Sequence, residues 1–227
     1  MAFVRLGGIH KRAKMARSKY LFGFVKLLSR VSDKARSMFY GQVFGIKKMH
    51  VGPQPKFLGV QYINLGERFS TGRNVWVEAV TSFNGKKFLP ELTVGSDCNL
   101  SDFVHIGCIN KVSIGSGVLI GSKVLISDHS HGRYHGETQS SAMEIPNQRE
   151  LYSKGPVIVE DNVFIGDNCC VQAGVTIGRG AIIAANSTVT SDIAADTMVA
   201  GSPARPIKKY SASTHSWENA KPGQGNV

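Results

Sequence analysis

Aliphatic side chains recur every six residues over the second half of the chain. Val94, Leu100 and Ile106 open the series, and Ile114, Ile120 and Ile126 follow after an eight-residue step. After an interruption of about thirty residues it resumes at Val159, Ile165, Val171, Ile177, Ile183 and Val189. A small residue often comes next (Gly95, Gly107, Gly115, Gly121, Gly166, Gly178, Ala184). Four positions after an aliphatic stands a small or β-branched residue: Cys98, Val104, Val118, Val124, Val163, Cys169, Val175 or Ser187. A weaker copy runs through Leu65, Thr71 and Val77. A period of six suits neither the 3.6-residue repeat of a helix nor the two-residue alternation of a hairpin. It predicts short strands joined by tight turns, with the aliphatic pointing into a narrow prism and the position four later filling a corner. The glycines are expected where turns demand φ > 0. Three six-residue sides close one triangular coil, giving an all-β solenoid, a parallel β-helix of about five coils.

The rest of the chain divides around this repeat. Residues 1–50 read as a helical extension, with Tyr20, Phe24, Leu27, Leu28 and Val31 on one apolar face. Residues 51–64, with Gly52, Pro53 and Pro55, read as a connector, and residues 65–210 as the repeat domain. Residues 82–91 form an insertion between coils, residues 128–156 an external loop, and residues 211–227 a loose tail in which Trp217 anchors locally.

Composition narrows the class. The 227 residues include 25 glycines but only 8 prolines, too few for collagen or a low-complexity tail. No run approaches the ~20 apolar residues of a membrane span. The four cysteines do not suggest a secreted disulfide framework, and no signal peptide stands out, so a cytoplasmic protein with reduced thiols is expected. Cys98 and Cys169 fall on the inward pattern and Cys170 on the outward one. The net charge of +11 resides wholly in residues 1–50, which hold 12 basic residues and one acid, Asp33. Such an arm is either a solvated helical cap or a contact for an anionic surface. Peripheral contact with an anionic inner membrane is the partner expected, and no nucleic acid.

The interruption after Ile126 begins Ser127-Asp128-His129-Ser130-His131-Gly132-Arg133-Tyr134-His135. Loops of that length are functional or disordered. Three histidines within seven positions allow three readings: a metal site built with Asp128, a histidine general base, or solvated loop side chains. No helix places His131 and His135 on one face, and no metal is expected. Gly115-Ser116-Gly117 resembles a phosphate loop only superficially, since turns are due there and no Gly-Lys-Ser/Thr follows.

The segments VHIGCINKVSIGSGVLIGSKVLISDHSHG (104–132), GPVIVEDNVFIGDNCCVQAGVTIGRGAIIAANSTVTSDI (155–193) and MVAGSPARPIKKY (198–210) resemble the hexapeptide-repeat acyltransferases. Within them the chain is most similar to bacterial polysaccharide and lipopolysaccharide O-acetyltransferases and to maltose/galactoside acetyltransferases. The resemblance implies a left-handed β-helix, a homotrimer and acetyl-CoA as co-substrate, with no metal. It implies direct transfer to a sugar hydroxyl of a surface glycan or its precursor. His129, three residues past the last aliphatic before the loop, matches the family's base. A coil of 18 residues puts position 111 beneath His129, and a two-residue bulge at the eight-residue step puts 109 there, so Asn110 falls under the base and orients it or the acceptor, with His105, Asp102 and His131 as further acceptor contacts. Asp128 is expected to point away from His129 on an extended chain. The positions matching the coenzyme A groove are Ala173, Gly174, Ala184, Ala185, Ser202, Arg205 and Lys208, the last two for phosphates. Phe164 keeps only the aromatic character of a position often held by tryptophan. The alternatives are an N-acetyltransferase on an amino sugar, a metal protein resembling the γ-type carbonic anhydrases, and a non-catalytic scaffold.

Overall fold

The computed structural model describes residues 25–220. Tyr20 and Phe24 of the expected apolar face, the basic residues before position 25 and the end of the tail lie outside them.

Three parallel sheets carry the repeat. The first face stacks His50–Val51, Ser70–Thr71, Asn99–Leu100, Leu119–Ile120, Phe164–Ile165, Ile182–Ile183 and Thr197–Ala200. The second stacks Lys56–Leu58, Trp76–Ala79, His105–Cys108, Leu125–Ser127, Cys170–Val171 and Thr188–Val189. The third stacks Ile63–Leu65, Glu91–Val94, Lys111–Ile114, Val157–Val159 and Thr176–Ile177. The chain visits the faces in turn, so like residues meet in register: Leu100 against Ile120, Ile165 and Ile183, and Val77 against Ile106, Ile126, Val171 and Val189. All of these are buried, as are the corner residues Val104, Val118, Val124, Val163, Cys98 and Cys169. Each aliphatic removes its side chain from water on a strand only two to four residues long, and the stack sums these small gains.

The expectation for the glycines holds in part: Gly117, Gly174 and Gly180 take positive φ just before the buried Val118, Val175 and Ala181, but most such positions carry other residues. Positive φ falls on Asp97, Phe103, Lys123, Asn162, Asn168 and Asn186, each just before a buried corner residue. Gly115 and Gly121 instead lie under the next coil, where an added Cβ would come 2.4 Å from Asp161 Oδ1 and from Asp167 Oδ1 respectively. Those carboxylates accept the backbone N–H groups of Ser116 and Ser122. Close approach of one turn to the next, not left-handed backbone, fixes these two glycines.

Residues 51–64 are no connector. They supply strands to all three faces, with Val51 and Ile63 buried and Phe57 between them at the same six-residue spacing. The prolines sit at the corner between strands, where no ladder N–H is needed. A helix over 25–44 closes this end. Phe44 and Tyr40 pack on Phe57 with ring centroids 5.2 and 5.0 Å away, and Arg36 Nε donates to Val51 O. The part of its apolar face within the described residues is not covered: Leu27, Leu28 and Val31 are 53–60% exposed.

At the other end Thr197–Ala200 pairs antiparallel with Arg205–Ser211, which pairs with Ser216–Asn219. The described part of the expected loose tail is therefore a hairpin. Its cross-strand pair Tyr210 and Trp217 meet edge to face at 5.5 Å, the local anchor expected of Trp217. The insertion at 82–91 is a second hairpin, Ser82–Phe83 against Lys86–Lys87, turning on Asn84-Gly85 with φ of 47° and 79°.

Candidate active site

His129 stands just past the end of the second face, where the external loop leaves the coils. Ser127 pairs with Gly107, twenty residues earlier, and the chain then bends at Asp128. The longer step arises because the corner from Ile106 to Ile114 carries two extra residues. That widened corner turns three successive backbone N–H groups toward one point, and Asp128 fills it. Ile109 N donates to Oδ1 at 2.9 Å, and Asn110 N and Lys111 N donate to Oδ2 at 2.8 Å each.

The expectation that Asp128 points away from His129 fails for this reason. Alternation holds for extended chain, and Asp128 sits in a bend. Its Oδ1 accepts His129 Nδ1–H at 2.9 Å, and the carboxylate is 0% exposed. Burial alone would favour the neutral acid. The bonds from His129 and from the Ile109 and Asn110 amides outweigh it and hold the carboxyl below its ordinary range. An ionised Asp128 fixes the proton of His129 on Nδ1 and leaves Nε2 as an acceptor. Nearby, Cys108 is completely buried with its Sγ 3.5 Å from Asp128 Oδ2. Burial and the adjacent carboxylate push its thiol far up, so it stays protonated.

Asn110 takes a different part from the one expected. Its backbone N–H, not its side chain, reaches the Asp128 carboxylate, and its exposed side chain lines a separate surface hollow with Lys87 and Leu89. The eight-residue step is the two-residue bulge, and the coil is twenty residues here. Asp102 is likewise a corner residue. It accepts Arg73 N at 2.9 Å and lies 3.5 Å from Arg73 Nε, as Asp161 and Asp167 bind corner amides elsewhere.

The three loop histidines diverge. His131 stands edge-on to Phe83 of the inserted hairpin at 5.0 Å, and His135 edge-on to Tyr152 at 5.4 Å. Among the described residues no three His, Cys, Asp or Glu side chains converge on a metal position. A cavity of about 400 Å³ opens beside His129, walled by Leu125, Tyr134, Tyr152, Lys154, Cys170 and Ala173.

The loop itself is tied down. Ser130–His131 pairs with Leu151–Tyr152, and Arg149 bonds Tyr134 Oη and the Glu144 carbonyl. The inserted hairpin holds it from outside through Lys86–Glu150 at 2.8 Å and Asn84 Nδ2 on Asn147 O.

Relatives of this chain share its repeat. Residues 156–191 match the family described as a hexapeptide repeat of succinyl-transferase. A lipopolysaccharide biosynthesis O-acetyl transferase, WbbJ of Escherichia coli K12, is 38% identical over 159 residues, spanning 70% of this chain and 77% of that protein. The chain belongs to the hexapeptide-repeat acetyltransferases. The galactoside O-acetyltransferase of Escherichia coli K12 is 33% identical over 63% of this chain and 65% of its own length. The crystal structure of a variant of AntD, an N-acyltransferase from Bacillus cereus, in complex with dTDP and coenzyme A, has the same fold. It aligns with a TM-score of 0.58 at 16% identity, covering 74% of this chain and 84% of that one.

The remaining positions of this hexapeptide-repeat acetyltransferase fall in two groups. Ala173 and Gly174 turn the corner after Cys170–Val171, on the cavity side. Ala184 and Ala185 turn the preceding corner of the next coil, after Ile182–Ile183 on the first face. Ser202 bonds Thr188 Oγ1 at 2.9 Å at the top of the second face. Arg205 and Lys208 lie on the C-terminal hairpin, Arg205 exposed and Lys208 half-buried. Phe164 is on the first face and exposed. The Ala173–Gly174 and Ala184–Ala185 pairs thus occupy different edges of the prism.

Proposed function

We propose that this acetyltransferase carries an acetyl group from acetyl-CoA directly to a sugar hydroxyl of a bacterial surface polysaccharide or its precursor. The observation that carries the reading is the Asp128–His129 pair at the mouth of the cavity, which leaves Nε2 as the only ring nitrogen free to take a proton. His129 accepts the hydroxyl proton as the sugar oxygen bonds to the thioester carbonyl carbon. The C–S bond then breaks, and the proton passes from Nε2 to the departing sulfur. Asp128 holds the imidazole and balances its transient charge. No covalent intermediate on this chain is needed.

The residues beside the cavity suit the co-substrate. Gly155 and Gly174 approach so closely that a Cβ on Gly155 would lie 3.2 Å from Gly174 Cα, which leaves a strip of bare backbone beside Ala173. A narrow pantetheine arm fits such a strip. Ser202, Arg205 and Lys208 lie above it, and the two cations suit phosphates. Ala184 and Ala185 belong to the same groove only if it crosses to the other edge.

The fold is read as a left-handed parallel β-helix, and the assembly as a homotrimer with sites between subunits. The helix and the basic arm are read as a peripheral contact with the anionic inner membrane from the cytoplasmic side, where lipid-linked glycans are built. Among the described residues no helix is long and apolar enough to cross a membrane.

Transfer to oxygen is favoured over nitrogen because the relatives named for O-acetylation align over most of the chain. The test is sugar-dependent release of coenzyme A from acetyl-CoA, followed by mild alkali on the product. An ester loses its acetyl group under these conditions and an amide keeps it. Acetyl that resists alkali, or no dependence on any sugar, sinks the reading.

A further inference from the structure

Gly107 differs from the other glycines of the repeat in what requires it. It follows the inward aliphatic Ile106, as Gly95, Gly121, Gly166 and Gly178 follow theirs. At those four positions an added Cβ would stand 2.4–2.6 Å from a backbone atom of the next coil, so the fold itself demands glycine. At Gly107 the three nearest atoms all belong to side chains: His129 Cε1 at 3.2 Å, His105 Nε2 at 3.8 Å and Ser127 Oγ at 3.9 Å. The residue lies in the strand His105–Cys108, without the left-handed φ that favours glycine. No turn of the next coil covers it, because the chain paired with it at Ser127 bends at Asp128 and leaves for the external loop. The imidazole of His129 covers it instead.

That ring has little freedom to move off. Its Nδ1 donates to Asp128 Oδ1 at 2.9 Å, and the carboxylate is fully buried and held by three backbone amides. Ser127 Oγ, 3.4 Å from the same ring nitrogen, accepts the His129 backbone N–H and donates to its carbonyl. On the other flank His105 stacks on Trp76 at 4.1 Å with an interplanar angle of 12°, and Lys56 Nζ lies 3.6 Å from the centroid of the Trp76 ring. Two carbons in contact settle at about 3.5–4.0 Å. A methyl group at position 107 therefore pushes the imidazole away by a few tenths of an ångström. The ring can retreat only by stretching or tilting its bond to Asp128.

We infer that Gly107 is a positioning residue for His129: its missing side chain is the seat on which the imidazole rests, and the seat sets where Nε2 stands at the cavity mouth. The inference rests on the transfer reading above. Buried beneath the ring, Gly107 touches neither substrate, so its size acts on turnover through His129 alone.

The experiment compares full-length wild type, Gly107→Ala, His129→Ala and the double variant, with Gly121→Ala in both backgrounds as a control for glycine demanded by the fold. The His129 Nδ1–H, bonded to a buried carboxylate, gives a far-downfield proton resonance, assigned by its loss in His129→Ala. Gly107→Ala is expected to shift or broaden that resonance. Acetyl-CoA and methyl galactoside are the probes for turnover. In Gly107→Ala, kcat is expected to fall about tenfold, with both KM values within about twofold of wild type, since even a ~1 Å misplacement costs about a hundredfold. In the His129→Ala background the same substitution should change turnover by less than about twofold, because no ring is left to displace. Any loss of melting temperature in Gly107→Ala should vanish there too, whereas Gly121→Ala lowers melting equally in both backgrounds. An unmoved resonance with wild-type kcat overturns the inference. So does an equal loss of turnover or stability in both backgrounds, which would make Gly107 a requirement of the fold. Wild-type turnover in His129→Ala, or no sugar-dependent transfer by wild type, is a different failure. It overturns the transfer reading, and the positioning role falls with it.

Discussion

Asp128 is the residue whose part depended most on three-dimensional context. Its carboxylate joins three backbone amides to His129, and replacing it changes both stability and chemistry. Asp128→Asn retains the shape but loses the charge that fixes His129's proton on Nδ1, and turnover should fall roughly 10²–10⁴-fold. His129→Ala removes the proposed base and should lower turnover by roughly 10²–10⁴. His131→Ala and His135→Ala, whose rings lie against Phe83 and Tyr152, should cost less than about tenfold. Initial-rate assays of coenzyme A release check all four variants, and a His131 effect larger than that of His129 reassigns the base. The pH dependence of stability has a definite sign. The folded Asp128 carboxyl ionises below its ordinary value of 3.8, so its stabilisation is complete above that value. It is lost as pH falls through the lower folded value. Thermal melts taken into this acid range should fall more steeply for wild type than for Asp128→Asn. His105, whose folded value lies below 6.5, acts in the same direction at milder acidity, because the unfolded chain binds its proton first.

Among elements, the external loop and the hairpin at Ser82–Phe83 and Lys86–Lys87 work as a pair. The loop carries His129 at its start, and the hairpin, about sixty residues earlier in sequence, holds it through Lys86–Glu150 and Asn84–Asn147. Both contacts are exposed and contribute up to about 1 kcal/mol each. The Asn84→Ala, Lys86→Ala double variant should therefore melt close to wild type, while trypsin cuts the loop at Arg133 or Arg149 sooner. Timed digestion with mass spectrometry reads this, and unchanged cleavage rates would mean that the loop holds its own shape. The insertion at 82–91 was legible in the sequence as a break between coils. Its partner was not, because contacts between two irregular segments leave no periodic signal.

At the scale of the whole molecule, the basic excess lies in the same stretch of sequence as an exposed apolar stripe. Residues 1–50 hold the entire +11, and within the described helix Leu27, Leu28 and Val31 face solvent rather than the coils. The helix's opposite side meets the coils through Arg36, Tyr40 and Phe44. An uncovered apolar stripe beside lysines and arginines suits an anionic lipid surface. Vesicles containing phosphatidylglycerol should pull down the full-length protein, less so as salt rises and less for Leu28→Glu. Absence of sedimentation with both neutral and anionic vesicles would make the arm a solvated cap. A trimer burying the same stripe would show in light scattering as an assembly that Leu28→Glu dissociates.

The sequence by itself determined the repeat, its inward aliphatics, the place where it breaks and the histidine at that break. Each is a local or strictly periodic property, and a parallel stack converts period directly into register. Only the tertiary structure decided which groups meet across coils. The longer corner was visible as the eight-residue step, but not that it turns Asn110's backbone N–H, rather than its side chain, toward Asp128. A bend at one residue reversed Asp128 from bystander to the hydrogen-bond partner of His129. The glycines at 115 and 121 were visible as small residues, but the reason for them, a carboxylate of the next coil 2.4 Å from where a Cβ would stand, exists only between coils. Periodicity records what every coil repeats; the site is built where the coils differ.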